Sequence, residues 1–338
     1  MTSRPWQLDS GAAMEALRVL RAARTVLMPM HQNVDADGLA SPLAIMHALA
    51  QLKVPAVPVA SDGKLPQSLK FLPGVDRVLR YGVDPLPDYD VLCLADCADL
   101  RRLGGFYADD PSRLNGRVPI VNIDHHVTNG RFGAVNIVEP EAAATCEIVA
   151  ALLAVWGTEL TTTIAQCLLA GIYGDTLGLR TEGTTSRTMR TAADLVDAGA
   201  TPGPIVDALF RLKPASTVCL WEHALRNVQW TGPLIWTELT DRIFEQCCAD
   251  RSEAEGLVNF LTGTEGSRAA AILYQDEQGW RVSMRSLDEV DVARIAAEFG
   301  GGGHPRAAGC QVVGGEAAKR AFLEKVAELA SVDGQHAP

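Results

Sequence analysis

Residues 25–60 read TVLMPMHQNVDADGLASPLAIMHALAQLKVPAVPVA. The apolar run Thr25–Pro29 ends in a polar loop, Ser41–Leu52 has helical spacing, and Val54–Ala60 is a second short apolar run. Strands that are apolar throughout and separated by a helix are typical of a parallel sheet covered on both faces. This stretch therefore predicts an α/β fold.

The same alternation continues through the first half of the chain. The apolar strands Asp90–Ala95 and Val118–Ile123 each run directly into charged residues, and helical patterns follow at about Ala142–Trp156, Thr162–Tyr173 and Arg187–Ala198. We predict a doubly wound parallel sheet, in which a ligand binds at the carboxyl ends of the strands.

The second half has a different pattern. Three prolines in residues 199–216 indicate a junction. Beyond it, two hairpins near residues 227–239 and 269–286 and helices near 252–261, 292–299 and 316–330 predict a smaller α/β domain with an antiparallel or mixed sheet. The expected organisation is a first domain at 1–198, a linker at 199–216, a second domain at 217–332 and a tail at 333–338.

The composition limits the kind of ligand. The chain has 338 residues, a formal net charge of −11 and a sequence pI near 5.1. An acidic protein does not hold long nucleic acid by neutralising phosphates, whereas bound metal ions can attract a small anion. No stretch approaches the ~20 apolar residues that span a bilayer, and the N-terminus lacks a signal-peptide pattern. We therefore expect a cytoplasmic protein that binds a small anion and has no membrane partner.

The eight cysteines are scattered through apolar segments and form no Cys-x-x-Cys pair. A disulfide framework is unusual in an intracellular chain of this size. We expect all eight to be reduced core residues.

Acidic and histidine side chains follow the predicted strands. The first such loop carries His31, Asp35 and Asp37, a donor set that suits divalent metals such as Mn²⁺. The alternative for Asp37 is that it caps the helix beginning at Gly38. Asp96 follows the strand that ends at residue 95, where a lone acid is more often a turn or cap residue.

Two further loops strengthen the metal hypothesis. Asp124, His125 and His126 follow a strand, where metal binding or catalysis is favoured over a polar loop with one hydrogen-bonded histidine. Asp175 follows an apolar helix, whose dipole disfavours a carboxylate without a compensating positive charge. Strand ends converge on one crevice in this fold, and clustered carboxylates repel one another without a cation. We predict a site for two metal ions with the ligands His31, Asp35, Asp37, Asp96, His125 and Asp175.

A glycine-rich segment at residues 300–309 reads GGGGHPRAAG. Consecutive glycines let backbone N–H groups approach an anion or a base closely. A flexible turn between a helix and a strand does not need four glycines followed by His304 and Arg306, so we favour contact with a ligand.

Together these motifs resemble the DHH phosphoesterases. The series His31…Asp35-x-Asp37, Asp96, Asp124-His125-His126 and Asp175-Thr176 is similar to the four motifs of that family. The segment 300–309 is similar to the signature of the DHH-associated domain that follows in related enzymes. The length, without large insertions, resembles the NrnA type, which comprises nanoRNases and pAp phosphatases.

The resemblance implies two divalent ions, with Mn²⁺ preferred and Mg²⁺ as the alternative. It implies that one ion is held by His31, Asp35 and Asp96, and the other by Asp37, Asp96, His125 and Asp175, with Asp96 bridging them.

The resemblance also implies roles beyond the ligands. Asp124 would support the site, and His126 would face the scissile phosphate. One departure is Asp175-Thr176-Leu177-Gly178-Leu179, where family members often have Asp-Thr-Gly-x-Phe. The residues implied to bind the terminal phosphate or base of the substrate are Arg285, Gly302, Gly303 and His304.

The implied function is hydrolysis of short oligoribonucleotides and removal of the 3′-phosphate of pAp. One alternative within the family is a phosphodiesterase of cyclic or linear dinucleotides. A RecJ-like exonuclease acting on long single-stranded DNA is disfavoured because no basic groove or OB fold is evident. A non-catalytic nucleotide-binding module is disfavoured because every ligand position is filled, and a dinucleotide-binding oxidoreductase because Gly-x-Gly-x-x-Gly is missing after the first strand. A homodimer is the default expectation for assembly.

Overall fold

The computed structural model describes residues 8–254, 256–287 and 290–332. The chain divides into two compact units, residues 1–212 and 213–338. The division falls inside the segment 199–216, which the prolines indicated as a junction. The exact domain boundaries remain a prediction.

The described residues of the first unit form six parallel strands: β1 (Val26–Met30), β2 (Ala56–Ala60), β3 (Leu79–Arg80), β4 (Val91–Ala95), β5 (Ile120–Asp124) and β6 (Val135–Val138). Their order in the sheet is β3-β2-β1-β4-β5-β6. The order reverses between β1 and β4, which is the switch point at which doubly wound sheets bind ligands. The predicted doubly wound parallel sheet is confirmed.

Between residues 8 and 212, the α-helices that accompany this sheet are α1 (Ser10–Arg21), α2 (Ala36–Gln51), α3 (Gly104–Ala108), α4 (Thr145–Trp156), α5 (Thr162–Asp175), α6 (Ser186–Asp197) and α7 (Pro202–Val206). Helices α2 and α5 approach closely because α5 carries glycines on the contact face. A Cβ at Gly174 would lie 2.5 Å from Ala36 Cβ, and one at Gly171 would lie 2.6 Å from Oδ1 of Asp37, which is also in α2. A larger residue at either position would push α5 away from the sheet edge that carries the acids.

Both faces of β1 are buried, as the unbroken apolar run predicted. Val26, Met28 and Met30 belong to the core formed with α1, α2, α4 and α5. Leu27 points to the opposite face and packs in a second core with β4 and Phe106. Because successive strand residues alternate between faces, a strand in the centre of this sheet is apolar at every position.

The second unit is built on one mixed sheet. Its strands are β7 (Gln229–Thr231), β8 (Leu234–Leu239), β9 (Ala269–Asp276), β10 (Gly279–Ser286), β11 (Gly302–His304) and β12 (Ala307–Val313), in the order β11-β12-β10-β9-β8-β7. Neighbouring strands are antiparallel except β8 and β9, which are parallel. The predicted mixed sheet is confirmed.

The helices of this unit are α8 (Ala215–Arg226), α9 (Asp241–Cys247), α10 (Leu257–Thr262), α11 (Val292–Glu298) and α12 (Glu316–Val332). The sequence did not predict α8, which begins in the predicted linker after Pro214. The prediction of a single helix over residues 252–261 was wrong at its start. Arg251–Ala254 form a 3₁₀ turn, and α10 begins only at Leu257. Within the described part of the chain, no helix has the length and apolar character to cross a membrane.

A disulfide joins Cys219 of α8 to Cys247 of α9, with 5.5 Å between the Cα atoms. The expectation that all cysteines are reduced is therefore wrong for this pair. Packing of α8 against α9 brings together two residues that are 28 positions apart, and nothing in their spacing indicates it. The free cysteines are Cys93, Cys97, Cys146, Cys167, Cys248 and Cys310.

Candidate metal centre

The predicted acidic and histidine residues meet at the switch point of the first sheet. His31 directly follows β1, Asp96 directly follows β4, and Asp124 ends β5. Asp175 is the last residue of α5. Three strand ends, the N-terminus of α2 with Asp35 and Asp37, and the C-terminus of α5 therefore supply the polar groups of a single site.

The first group consists of His31, Asp35 and Asp96, whose candidate ligand atoms all lie within 4.8 Å of one another. His31 Nε2 is 3.8 Å from Asp35 Oδ1 and 3.5 Å from Asp96 Oδ2. His31 Nδ1 lies 2.9 Å from the carbonyl oxygen of Gln32, to which it donates. In the neutral ring the lone pair is then on Nε2, a buried atom for which the described residues provide no hydrogen-bond partner. Buried polar atoms are rarely left unpaired, and a metal ion fits this one.

The second group consists of Asp37, His125 and Asp175. His125 Nε2 lies 3.2 Å from Asp175 Oδ2 and 3.6 Å from Asp96 Oδ1. His125 Nδ1 lies 3.2 Å from the carbonyl oxygen of Ala142, so this histidine also presents Nε2 to the carboxylates. Asp96 directs one oxygen to each group, Oδ2 to His31 and Oδ1 to His125, so its carboxylate could contribute a ligand to both.

Asp37, in the first turn of α2, is fully buried and contacts the N-terminus of α4. Its Oδ2 accepts a 2.6 Å hydrogen bond from Thr145 N, and its Oδ1 accepts a 3.0 Å bond from Cys146 N. Free N–H groups and the helix dipole stabilise negative charge at this end of a helix. The hydroxyl of Thr145 donates to Asp96 Oδ1 at 3.1 Å. Thr145 therefore orients one carboxylate of each group, a role that the sequence analysis missed.

The capping interpretation of Asp37 is wrong. Asp35 is the N-cap of α2, and its Oδ1 accepts a 2.9 Å hydrogen bond from Gly38 N. Asp37 lies inside the first turn of the helix. Gly38 is required by close approach, because a Cβ there would lie 2.3 Å from His31 Nε2.

Asp96 adopts a left-handed backbone conformation with φ of 59°. This conformation is uncommon for residues other than glycine and costs of the order of 1–3 kcal/mol. The Asp96 N–H donates to the carbonyl oxygen of Ile123 at 3.0 Å, which ties the turn to β5. Strain of this kind is typical of functional sites, where the surrounding structure maintains it.

The electrostatics of the site indicate an excess of buried negative charge. Burial, together with the Asp175 and Asp96 carboxylates, raises the pKa of Asp37 well above its usual range. Burial also raises the pKa of Asp175 to about 6, although His125 opposes the shift. Burial lowers the pKa values of His31 and His125, but neighbouring carboxylates outweigh it and raise both to about 10. A divalent cation would remove this repulsion, and carboxylate–imidazole sets suit such ions.

His126 differs from the other two histidines. Its Nδ1 lies 2.8 Å from Asp124 Oδ1 and 3.6 Å from Asp96 Oδ1, so it donates to Asp124. Asp124 also accepts from Asn129 Nδ2 at 2.6 Å and from the backbone N–H of His125 at 2.8 Å. Burial raises the pKa of Asp124, but the bonds from His126 and Asn129 outweigh it and lower the pKa below its usual value. An ionised Asp124, which is buried, therefore holds the His126 ring. A third of the His126 side chain stays exposed.

The predicted substrate-binding residues lie on the two strands of the second unit that flank β12. Arg285 of β10 and His304 of β11 both pair with Ala307 of β12, which puts their side chains on one face of the sheet. Gly303 is required by the backbone, since its φ is 145° and a Cβ would lie 2.3 Å from Ala307 O. Gly302 is exposed, and a Cβ there would meet nothing within 4 Å. Packing therefore explains Gly303 and leaves Gly302 available for contact with a ligand.

Two family models match the chain. The model described as DHH family, N-terminal domain, matches residues 25–172, and the one described as DHHA1 domain matches residues 243–331. The first range contains all six candidate ligands except Asp175, and the second contains the four predicted substrate-binding residues.

Known proteins resemble the chain over most of its length. It is 33% identical to the bifunctional oligoribonuclease and PAP phosphatase NrnA of Thermus thermophilus, over 88% of this chain and 87% of the relative. It is 24% identical to the protein of the same name from Bacillus subtilis, over 92% of this chain and 96% of the relative. The crystal structure of an exopolyphosphatase-related protein from Bacteroides fragilis superimposes with a TM-score of 0.88 at 21% identity, covering 97% of this chain and 99% of that one. That likeness concerns the fold.

Proposed function

The chain belongs to the DHH family of phosphoesterases, and from this premise we propose that it hydrolyses short oligoribonucleotides to mononucleotides and removes the 3′-phosphate of pAp. The observation that carries the proposal is the convergence of four carboxylates and two imidazoles in two groups that share Asp96. The names of the Thermus and Bacillus relatives, which the chain matches along nearly their whole length, support the substrate class.

We propose that His31, Asp35 and Asp96 hold one divalent ion and that Asp37, Asp96, His125 and Asp175 hold the other. When bound, two such metal ions would stabilise the charge on the phosphate as Lewis acids and lower the pKa of an attacking water. The protein sets the positions of the donors. Backbone carbonyls orient two histidines through Nδ1, and the N-terminus of α4 holds Asp37.

His126 is the proposed proton donor or phosphate-orienting group. With Nδ1–H donated to Asp124, Nε2 is the remaining ring nitrogen, and when it carries a proton it can donate to a phosphate oxygen or pass that proton to the leaving oxygen. Asp124 maintains the orientation of the ring through this bond. Neither residue needs to act as a nucleophile.

Substrate selection is assigned to the second unit. Arg285 provides a guanidinium for a terminal phosphate, and His304 and Gly302 present an imidazole and an open backbone on the same sheet. The small number of these groups and the net charge of −11 both favour a small anion as substrate. A long nucleic acid would need many more positive charges to neutralise its phosphates.

Further parts of the proposal rest on the sequence. We propose Mn²⁺ as the preferred metal with Mg²⁺ as a substitute, a cytoplasmic location, a homodimer and no long nucleic acid as partner. Carboxylate and imidazole ligands suit Mn²⁺, and the acidic composition supports the exclusion of long nucleic acid.

The test is hydrolysis of a substrate panel with Mn²⁺ and chromatographic analysis of the products. The panel contains pAp, a linear dinucleotide, a cyclic dinucleotide, a five-nucleotide RNA and a long single-stranded DNA. We expect mononucleotides from the short RNAs, phosphate release from pAp and no loss of the long DNA. Asp96→Asn serves as the inactive control because it weakens both metal groups at once.

Each other outcome selects an alternative. Preferred cleavage of the cyclic dinucleotide indicates a dinucleotide phosphodiesterase, and preferred cleavage of the long DNA indicates a RecJ-like exonuclease. Absence of turnover on every substrate, with Mn²⁺ bound, indicates a nucleotide-binding module and contradicts the proposal.

A further inference from the structure

A second donor cluster lies in the second unit, between α8 and α9. Cys219 and His223 are four residues apart on α8, which places them on the same side of the helix. Cys247 ends α9, which packs against α8. The candidate donor atoms of these three residues lie within 4.8 Å of one another. None of the three has a role in the phosphoester chemistry proposed above.

The donor types differ from those of the first unit. Two sulfurs and one imidazole form a soft-to-borderline set, which selects Zn²⁺ over the oxygen-preferring Mn²⁺ and Mg²⁺. We propose that, once the Cys219–Cys247 disulfide is reduced, Cys219, His223 and Cys247 bind one Zn²⁺. Three protein ligands leave the fourth position of a tetrahedral ion to solvent.

The surroundings provide a rigid frame and a route from solvent. Leu220 and Phe244, from α8 and α9 respectively, lie in the same apolar cluster as Cys247 and fix the two helices together. Cys247 is buried, Cys219 is half-buried, and the His223 side chain is 35% exposed. An ion can therefore enter from the His223 side. The two sulfurs would then separate to about 3.8 Å, the spacing set by two tetrahedral Zn–S bonds of ~2.3 Å.

The disulfide and the zinc site exclude each other. A dithiol reductant attacks one sulfur of the Cys219–Cys247 bond as a thiolate, which expels the other cysteine and leaves a mixed disulfide. Its second thiol then closes the reductant's own disulfide and releases the cysteine that was attacked. Two electrons and two protons pass to the protein, and the reductant is oxidised. Zn²⁺ then displaces the two thiol protons to solvent, while neutral His223 supplies a nitrogen lone pair. Thiol redox state thus decides whether the metal binds.

The experiment uses Co²⁺ as a spectroscopic substitute for Zn²⁺ in the full-length protein. The chain is reduced with dithiothreitol, desalted without oxygen, supplied with excess Mg²⁺ to occupy the first unit and titrated with Co²⁺. Thiolate ligation gives a near-ultraviolet sulfur-to-cobalt charge-transfer band, which carboxylate and imidazole ligands alone do not give. The band therefore reports the proposed site and not the metal centre of the first unit.

We expect a band that saturates at one equivalent in the reduced wild type, is displaced by Zn²⁺, and does not form in the oxidised protein. Cys219→Ser and Cys247→Ser should lose it, and His223→Ala should weaken Co²⁺ binding. The matched control Cys248→Ser removes the neighbouring exposed thiol and should keep the band, as should Asp96→Asn, which disables the first unit.

Absence of the band in reduced wild type overturns the proposal. So does a band of undiminished height in both Cys219→Ser and Cys247→Ser, or one of equal height before reduction. Far-ultraviolet circular dichroism of each variant identifies loss of folding, and His223→Ala, which changes a partly exposed side chain, gives an independent reading if a cysteine variant unfolds.

Discussion

Thr145 offers the sharpest test of how the metal centre is held. Its backbone N–H bonds to Asp37 and its hydroxyl bonds to Asp96, at 2.6 and 3.1 Å. Thr145→Val keeps the β-branched shape and the backbone bond but removes the hydroxyl. Thr145→Ser keeps the hydroxyl and removes a methyl group. The pair of variants therefore separates the bond to Asp96 from the packing of a buried side chain.

The magnitude follows from the charge on the acceptor. A hydrogen bond to a charged group contributes about 1.5–3 kcal/mol, and loss of a residue that orients a metal ligand typically lowers metal affinity ~10–100-fold. We expect Thr145→Val to raise the half-saturating Mn²⁺ concentration by roughly that factor, because Asp96 belongs to both groups. Turnover at saturating Mn²⁺ should fall much less, since every ligand remains.

The assay is hydrolysis of pAp at increasing Mn²⁺, with bound metal measured by elemental analysis and folding checked by thermal unfolding. Thr145→Ser should stay within about threefold of the wild type in Mn²⁺ requirement, since the bond to Asp96 persists. Equal shifts in Thr145→Val and Thr145→Ser would refute the reasoning. So would a loss of turnover in Thr145→Val that added Mn²⁺ does not restore.

Three further outcomes are expected. Leu177 has φ of 50° and is 46% exposed. Leu177→Gly should relieve ~1–2 kcal/mol of left-handed backbone strain, against ~0.5–1 kcal/mol for the added entropy of the unfolded chain. Thermal unfolding should show a small gain in stability for Leu177→Gly that Leu177→Ala lacks. Gly171→Ala should cost about 1–3 kcal/mol and lower metal content, because its Cβ would lie 2.6 Å from an oxygen of Asp37, whereas Gly203→Ala, with nothing within 4 Å, should be nearly neutral. Arg285→Ala should raise KM for pAp about tenfold, the equivalent of ~1.4 kcal/mol, with little change in kcat, and an equal effect in the control Arg281→Ala on the same strand would argue against a specific phosphate contact.

The parts of the fold and site that the sequence predicted depend on local pattern. Strands such as β1 and β4 are apolar at every position, and the residue after each strand must lie at the carboxyl edge of the sheet. The presence of His31, Asp96 and Asp124 at one edge therefore followed from strand assignment and fold class. The exact pairing of the acids did not, because it depends on where α5 and α4 pack.

The features that sequence reasoning missed arise from packing between distant segments. Thr145 has no distinctive neighbours in the sequence, and its role comes from the position of the α4 N-terminus over two carboxylates. The left-handed turn at Asp96 is set by its bond to Ile123 on the neighbouring strand. The Cys219–Cys247 disulfide likewise depends on the contact between α8 and α9, and the sequence pattern did not predict α8, whose first two residues fall in the predicted linker.

The metal centre is organised by partners that do not themselves bind metal. Carbonyl oxygens accept hydrogen bonds from Nδ1 of His31 and His125. In both rings Nε2 is therefore the nitrogen that could bind a metal ion. The α4 N-terminus holds Asp37, and the Thr145 hydroxyl holds Asp96. Because these bonds come from backbone or buried groups, the donors keep their positions although the carboxylates repel one another. The negative charge of these carboxylates then attracts divalent ions. The free energy needed to bring the carboxylates together is spent during folding and not at each binding event.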